Sequence, residues 1–424
     1  MVDISNYAYE TGALDSPGNS AATTDSHYQV SITANFEELR DVWVNFENEA
    51  LCTPFQNYSW LESWHREIGM PNGVTPCLFH GRAKNGRTLF ILPLGYWRHA
   101  GSRVLGWLGD EHSNYKMGVF DRNWIKTLTP FEARMILEKI LVFLPPIDVI
   151  RLCAGPSEWE GIANPFTKLS ALPSASYSHA ITLQADFEAL YASKRSASTI
   201  KKARKRERSF NRHYKLEFAL ARERDEIQDI LNEVYRQKAF RLAEMGVHNF
   251  FADPGVKEFF NQTAMMQGRH GDNPFHLFYL KAGDKIAATW MGIAHRGRMC
   301  GMMNTMSSEA ELRKHSPGEV LLRHAIKYCC ENGFHTFDLA VGESRYKNEW
   351  CDQTLPLYET ILPISLFGYL HVQGSKARLK IKRLIKQSDR LWSLSKKLRA
   401  WLARWARAIF GLGLNPSCKS KGDR

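Results

Sequence analysis

The sequence predicts an α/β fold built twice in tandem, and three observations carry that expectation. An order of helices, strand hairpin, further strands, helix and strand runs up to about residue 180 and then recurs. The length of 424 residues exceeds what one ordinary domain uses. A content of 44% hydrophobic and 24% charged residues lies in the globular range, away from disordered, collagenous or membrane-spanning chains.

Each element has its own signal. Residues 1–28 form a polar leader too poor in apolar groups to offset its ordering entropy, and they are expected to be disordered. Phe36, Leu39, Val42, Trp43 and Phe46 then recur at helical spacing, and a second helix is expected over 60–68 after the Thr53-Pro54 turn. Strands over 77–80 and 88–92 flank an Asn85-Gly86 turn, a hairpin signal. Strand-like runs at 103–108 and 117–120, a helix over 130–144 and a strand over 149–153 complete the first half. The second half reads as one basic helix over 187–214, helices over 223–242 and 256–267, and strands over 276–280, 285–294 and 298–305. A helix over 317–332, a strand over 336–340, a short helix over 346–350 and a strand over 357–362 finish it. The domain division expected from this order is 29–180, 181–370 and a tail over 371–424.

The formal charge of +12 is a property of that tail. Residues 371–424 hold 15 Lys and Arg against 2 Asp and Glu, a net of +13, which leaves −1 for the rest. A basic tail on a neutral body suits contact with an anionic surface. Its apolar positions, including Ile381, Leu384, Leu391, Trp392, Trp401 and Trp405, give a basic amphipathic helix that suits either a peripheral membrane contact or docking on the body or a partner. The N-terminus lacks the basic and apolar regions of a signal peptide, so a cytoplasmic location is expected, with peripheral contact on the inner face of the plasma membrane. The eight cysteines show no metal-ligand spacing, so reduced thiols and no metal are expected.

The most informative stretch runs over 299–350. A strand ends in a polar loop over 307–316, and Ser316-Pro317-Gly318 opens an amphipathic helix. Proline is preset for a helix start. A free helix N-terminus offers unpaired N–H groups and partial positive charge to an anionic pyrophosphate, although an ordinary capped helix would read the same way.

The segments SPGEVLLRHAI and FDLAVGESRYKNEWCD, with FQNYSWLESW and ILPLGY upstream, resemble the bacterial GNAT-type acyltransferases named for the CelD cellulose-biosynthesis protein, relatives of FemAB-type transferases. The resemblance implies two tandem GNAT-like acyl-CoA N-acyltransferase domains. It implies acetyl-CoA or another acyl-CoA as co-substrate, held by Ser316, Pro317, Gly318, Glu319 and Val320, with Thr305 on the strand before them. Backbone N–H groups over 302–306 would face the oxyanion, since acyl transfer to an amine needs oxyanion donors and a base. Asp338 and Glu343 are the candidate bases, and Lys347 and Tyr346 complete the catalytic set. Packing is the competing reading for Tyr346 and Trp350, which lie four apart on a helix.

For the acceptor, Gln56, Tyr58, Trp60 and Tyr115 match the early motifs, and Arg241, Arg345 and Trp350 would add to the surface; helix packing competes at Gln56, Tyr58 and Trp60. Asn114 stands where the family shows a carboxylate, which removes the general base from that position, while Asp110 or Glu111 could compensate and His112 reads as a loop or core histidine. The ten Lys and Arg over 194–215 suit RNA or phosphate binding, or a solvated connecting helix, which is the reading preferred here. The functional expectation is an acyl-CoA-dependent N-acyltransferase acting on an amino sugar or similar precursor in bacterial polysaccharide synthesis. The alternatives are a FemAB-like transferase using aminoacyl-tRNA, and a non-catalytic accessory protein of a membrane-bound synthase.

Overall fold

The computed structural model describes residues 22–24, 28–266, 274–388 and 391. The first half contributes β1 (Ala22–Thr24), β2 (Tyr28–Thr33), β3 (Thr75–Ala83), β4 (Thr88–His99), β5 (Ser102–Trp107) and β6 (Val119–Phe120). After them come β7 (Val149–Pro156), the small hairpin of β8 (Glu158–Trp159) and β9 (Ile162–Ala163), β10 (Ala171–Pro173) and β11 (Ser178–Thr182). The second half contributes β12 (Leu216–Leu220), β13 (Phe275–Ala282), β14 (Lys285–His295), β15 (Arg298–Met306), β16 (Thr336–Val341), β17 (Gln353–Leu355) and β18 (Leu357–Pro363).

These strands make two large sheets with the same plan. In the first, β2 through β5 form an antiparallel meander, β5 pairs parallel with β7, and the order continues to β18 and β10. In the second, β12 through β15 form the meander, β15 pairs parallel with β16, and the order continues to β11 and β17. The two halves therefore trade strands. β11, from the end of the first half, lies beside β16, and β18, from the end of the second, lies beside β7. β4 shows why the meanders are central: seven successive residues, Leu89 to Gly95, are buried, the pattern of a strand covered on both faces.

Helices cover the sheets, and their limits follow local chemistry. Asn35 caps Phe36–Phe46 by accepting from the Glu37 N–H at 3.0 Å, and Thr129 with Glu132 forms a capping box on Pro130–Leu141. The single basic helix expected over 187–214 is two helices, Phe187–Lys194 and Ala197–Tyr214, because Ser196 accepts from the Thr199 N–H and restarts the helix. The second expected helix runs over Tyr58–Trp64 and continues as a π-helical turn, His65–Gly69.

One hydrophobic core runs through both halves, and a second packs the helix Pro317–Glu331 on the second sheet. Trp60 on the helix Tyr58–Trp64 packs edge-on against Phe259 of the helix Val256–Ala264, ring centroids 4.8 Å apart. Gly255 permits the approach: its φ is +79°, and a Cβ there would lie 1.8 Å from the Glu67 carbonyl oxygen.

The strand at 22–24 falls within the leader expected to be disordered; the rest of that leader lies outside the described residues. Of the basic tail, the helix Leu366–Gln387 is described, packed on the first sheet through Val372, while Trp392, Trp401 and Trp405 lie outside the described residues. Among the described residues no helix is long and apolar enough to cross a membrane.

Candidate active site

The parallel pairing of β15 and β16 covers Arg298–Cys300 against Thr336–Asp338 and then stops. Beyond it the strands diverge, and among the described residues β15 keeps only β14 as a strand partner. Gly301 stands at the point of divergence, where a Cβ would meet the Asp338 carbonyl oxygen at 2.7 Å. The first half reaches into the gap: Asn114 Nδ2 donates to the Gly301 carbonyl oxygen at 2.9 Å. A carboxylate at residue 114 could not make that bond, which accounts for the amide in place of the acidic residue.

Asp338 is fully buried beneath the same junction. Its carboxylate accepts from Tyr115 Oη at 2.8 and 2.9 Å, from Arg298 Nε and Nη2 at 3.0 and 2.7 Å, and from the Ala340 N–H at 2.7 Å. Burial would lower the Arg298 guanidinium, but the adjacent Asp338 overrides it and holds Arg298 above its ordinary value. Burial and the same carboxylate push the Tyr115 phenol up. With its oxygens committed in this way, Asp338 joins the halves and sets the end of β16.

That end is bent. Ala340 has φ +63°, a left-handed conformation uncommon for a residue with a side chain, and the Asp338 carboxylate caps its N–H. Lys347 Nζ donates to the Ala340 and Val341 carbonyl oxygens at 2.8 and 3.2 Å, and burial lowers its ammonium below the usual lysine value against the opposing pull of Asp338. Glu343 follows on the open side, half exposed, and accepts from His179 Nε2 at 3.0 Å. His179 sits on β11, the strand traded from the first half.

A cavity of about 260 Å³ opens at the other side of the divergence. It is bounded by the end of β15, the helix Arg224–Met245, the loop after β15 and Gly318. The helix Pro317–Glu331 begins there. Nothing lies within 4 Å of a Cβ built on Gly318, so its first turn is open. Lys238, Arg241 and Arg313 line the same space with a single acidic neighbour, Glu244, which pairs with Arg241 at 3.0 Å and with Arg313 at 3.8 Å. Burial, with Arg241 nearby, lowers the Lys238 ammonium. The Glu319 and Val320 N–H groups bond the Ser316 carbonyl oxygen at 3.0 and 3.3 Å, which leaves the Gly318 N–H at the helix start, and this N–H with the cations fits a polyphosphorylated donor such as an acyl-CoA.

The structure brings some expected residues together and disperses others. Gly318, Arg241 and Thr305 meet at the cavity, but the Thr305 hydroxyl is committed to Gln237 Oε1 and Thr289 Oγ1, both at 2.6 Å. Ser316 is left-handed and makes no capping bond with its side chain; Arg206 donates to its Oγ and pairs with Glu319 at 3.0 Å. Pro317 and Val320 are buried under the helix, so any contact from them with a donor is through backbone. Trp350 stacks on Tyr191 at 5.3 Å in the core, and Tyr346 is half-buried beside it. Gln56 bonds the Tyr115 carbonyl oxygen at 2.9 Å, the Tyr58 hydroxyl bonds Glu37, and the Trp60 indole bonds Ser113. All three are buried in the first half's core, where packing and these bonds use them. The Arg345 side chain lies outside the described residues.

Sequence reasoning missed Lys238, Arg313 and His179. Lys238 and Arg241 stand three apart on one helix face, and Arg313 lies in the polar loop already singled out. His179 had no such signal, because only strand pairing brings it to Glu343.

Residues 197–348 match an acetyltransferase (GNAT) domain family, over just over a third of the chain. No curated protein matches the sequence. Among solved structures, the chain is similar to FemX, with 9% identity over 77% of this chain and 96% of that one, at a TM-score of 0.51. It also resembles L-PGS from Bacillus licheniformis, with 10% identity over 83% and 98% of the two chains at 0.46. A tandem GNAT protein from the clavulanic acid biosynthesis pathway gives 11% identity over 79% and 99% at 0.38. The fold is that of two tandem GNAT-like units. The domain match and the shared fold with FemX carry this, together with the repeated meander and parallel pair in each half.

Proposed function

We propose that the protein is a CelD-type acyltransferase that moves an acyl group from a coenzyme A thioester to the amine of an amino sugar or similar saccharide precursor, in bacterial polysaccharide synthesis. The observation that carries this reading is the cavity at the end of β15, where the open start of the helix Pro317–Glu331 faces Lys238, Arg241 and Arg313. The donor, when bound, supplies an activated carbonyl carbon. The chain's own residues do the rest. Gly318 leaves room for a phosphate oxygen to reach its own N–H, and Lys238, with the two arginines that share Glu244, offsets the phosphate charge. Backbone N–H groups on β15 beyond the divergence are free to face a developing oxyanion. Glu343 Oε2, half exposed and oriented by His179, takes the proton that the acceptor ammonium must lose before attack. Lys347 holds the bent end of β16 that places Glu343.

We place this activity at the inner face of the plasma membrane. Leu366, Phe367 and Leu370 are exposed at the start of the helix Leu366–Gln387, ahead of the basic run.

The test is calorimetric titration with acetyl-CoA and longer acyl-CoAs of the full chain and of Gly318→Glu. Saturable binding that the substitution abolishes is expected. Unchanged binding by Gly318→Glu would remove the donor from this cavity, and absence of binding to every acyl-CoA would overturn the donor class.

A second reading exchanges the donor for aminoacyl-tRNA. The helix Ala197–Tyr214 favours it, because only Ala203 and Phe210 on it are buried and its basic residues face outward. RNA that copurifies and dissociates steeply with salt would select this reading.

A further inference from the structure

A second cavity, of about 320 Å³, opens where the two halves meet, and its chemistry is opposite to that of the donor cavity. Three indoles wall it: Trp64 at the end of the helix Tyr58–Trp64, Trp97 on β4 and Trp107 at the end of β5. The loop after β5 forms one rim. Gly109 and Asp110 there are both left-handed, with φ of +92° and +31°, a strained conformation for an aspartate. This backbone sets Asp110 and Glu111 on the cavity, opposite Asp253 of the second half.

The acidic groups are compensated only from outside the lining, where the Arg151 guanidinium lies within electrostatic reach of Asp110. Asp253 accepts from His248 Nε2 at 2.9 and 3.0 Å, whereas neither the Asp110 nor the Glu111 carboxylate has a hydrogen-bond or ion-pair partner among the described residues. Among the described residues no lysine or arginine lines the space. Lys116, the cation bonded to this loop, donates to the Asp110 carbonyl oxygen and is not part of the lining. His112 adds no charge. Its Nδ1 accepts from the Trp64 indole N–H at 3.2 Å, and burial drops its value to about 4, so at neutral pH the ring is uncharged with its proton on Nε2.

An indole face attracts a cation through its quadrupole, and carboxylates in a concave wall focus the same preference. An anion would be repelled. A neutral apolar ligand would desolvate the carboxylates without pairing them. We propose that this cavity binds a small organic cation, its ammonium group seated against the indoles and balanced by Asp110 and Glu111. The inference is independent of the acyl-transfer reading, since it uses none of that site's residues.

Calorimetric titration of the full chain with choline, with its uncharged isostere 3,3-dimethylbutan-1-ol and with glucose tests it. Saturable choline binding is expected, at least tenfold tighter than either neutral probe. The double substitution Asp110→Asn, Glu111→Gln should weaken choline at least tenfold with an unchanged thermal midpoint, because both carboxylates are exposed. Trp97→Leu should weaken it similarly, and Trp97→Phe should restore most of the affinity. Equal binding of choline and its isostere would make the cavity merely apolar, and preference for glucose would make it a sugar site; either overturns the proposal. So would absence of choline binding at tens of millimolar, or choline binding that ignores all of these substitutions.

Discussion

The Tyr115 hydroxyl bonds both carboxylate oxygens of Asp338, at 2.8 and 2.9 Å, across 223 positions of sequence. This joins the loop after β5 to β16 inside the protein, with Arg298 completing the ion pair. Tyr115→Phe should lower unfolding free energy by about 1.5–3 kcal/mol, the range for a hydrogen bond to a buried charge. Asp338→Ala, which strands Arg298, should cost about 3–5 kcal/mol. Urea denaturation followed by far-ultraviolet circular dichroism reads both, and a smaller loss for Asp338→Ala than for Tyr115→Phe would contradict the ion-pair account.

Asn114→Asp restores the residue type expected at that position but sets a carboxylate against the Gly301 carbonyl oxygen. It should destabilise more than Asn114→Ala, which removes the donor and costs about 1–3 kcal/mol. A gain of acyl transfer in Asn114→Asp would show instead that the position retains a base role.

Lys238→Met should weaken acyl-CoA binding severalfold without changing the fold, because it removes one of three cations from the donor cavity. Lys238 has a folded value below that of an ordinary lysine, so its charge is present at low pH and is lost on raising pH through that lowered value. Donor affinity should therefore decline with rising pH before ordinary lysines titrate. Titrations across a pH series would show this, and the decline should be absent in Lys238→Met.

Glu207 bonds Arg323 Nη2 at 2.7 Å and His324 Nε2 at 2.6 Å, which outweigh its burial and hold it near 2, against 4.5 for an ordinary glutamate. A depressed carboxylate stabilises above its unfolded value and loses that contribution as pH falls toward the folded one. Between about pH 4.5 and 2 the native chain should lose at most about 3 kcal/mol through this residue. Glu207→Gln should flatten the acid limb of a stability-against-pH curve; an identical limb would assign the loss to other carboxylates.

Vesicles test the exposed start of the helix Leu366–Gln387. Binding to anionic vesicles that weakens with salt is expected, with Leu366→Glu and Leu370→Glu together reducing it about tenfold or more. Equal binding to zwitterionic vesicles would remove the electrostatic part of the argument.

Much of the fold could be read from periodicity, and the site only in part. The central strands β4 and β14 are long apolar runs, and Pro317-Gly318 marks a helix start by its own backbone chemistry. The short strands β10, β11, β12 and β17 carry no comparable pattern. Their place depends on which distant edge they meet, and side-chain alternation does not encode that. The same limit hid His179, which reaches Glu343 only through the pairing of β11 with β16. Gln56 and Trp60 show an ambiguity of another kind: an amide and an aromatic suit a cleft and a core equally well, and here the Tyr115 carbonyl oxygen and the Phe259 ring engage them.

The traded strands also bear on how the chain comes into being at the ribosome. β7 ends at Pro156, and the strand that covers its edge begins at Leu357. At about 5–20 residues per second, that edge waits on the order of 10–40 s for its neighbour to emerge. During synthesis the first half therefore presents an unpaired, largely apolar strand edge, open to pairing with another nascent copy. A stall between residues 156 and 357 should yield aggregation or chaperone capture, and full-length chain released from the same transcript should not.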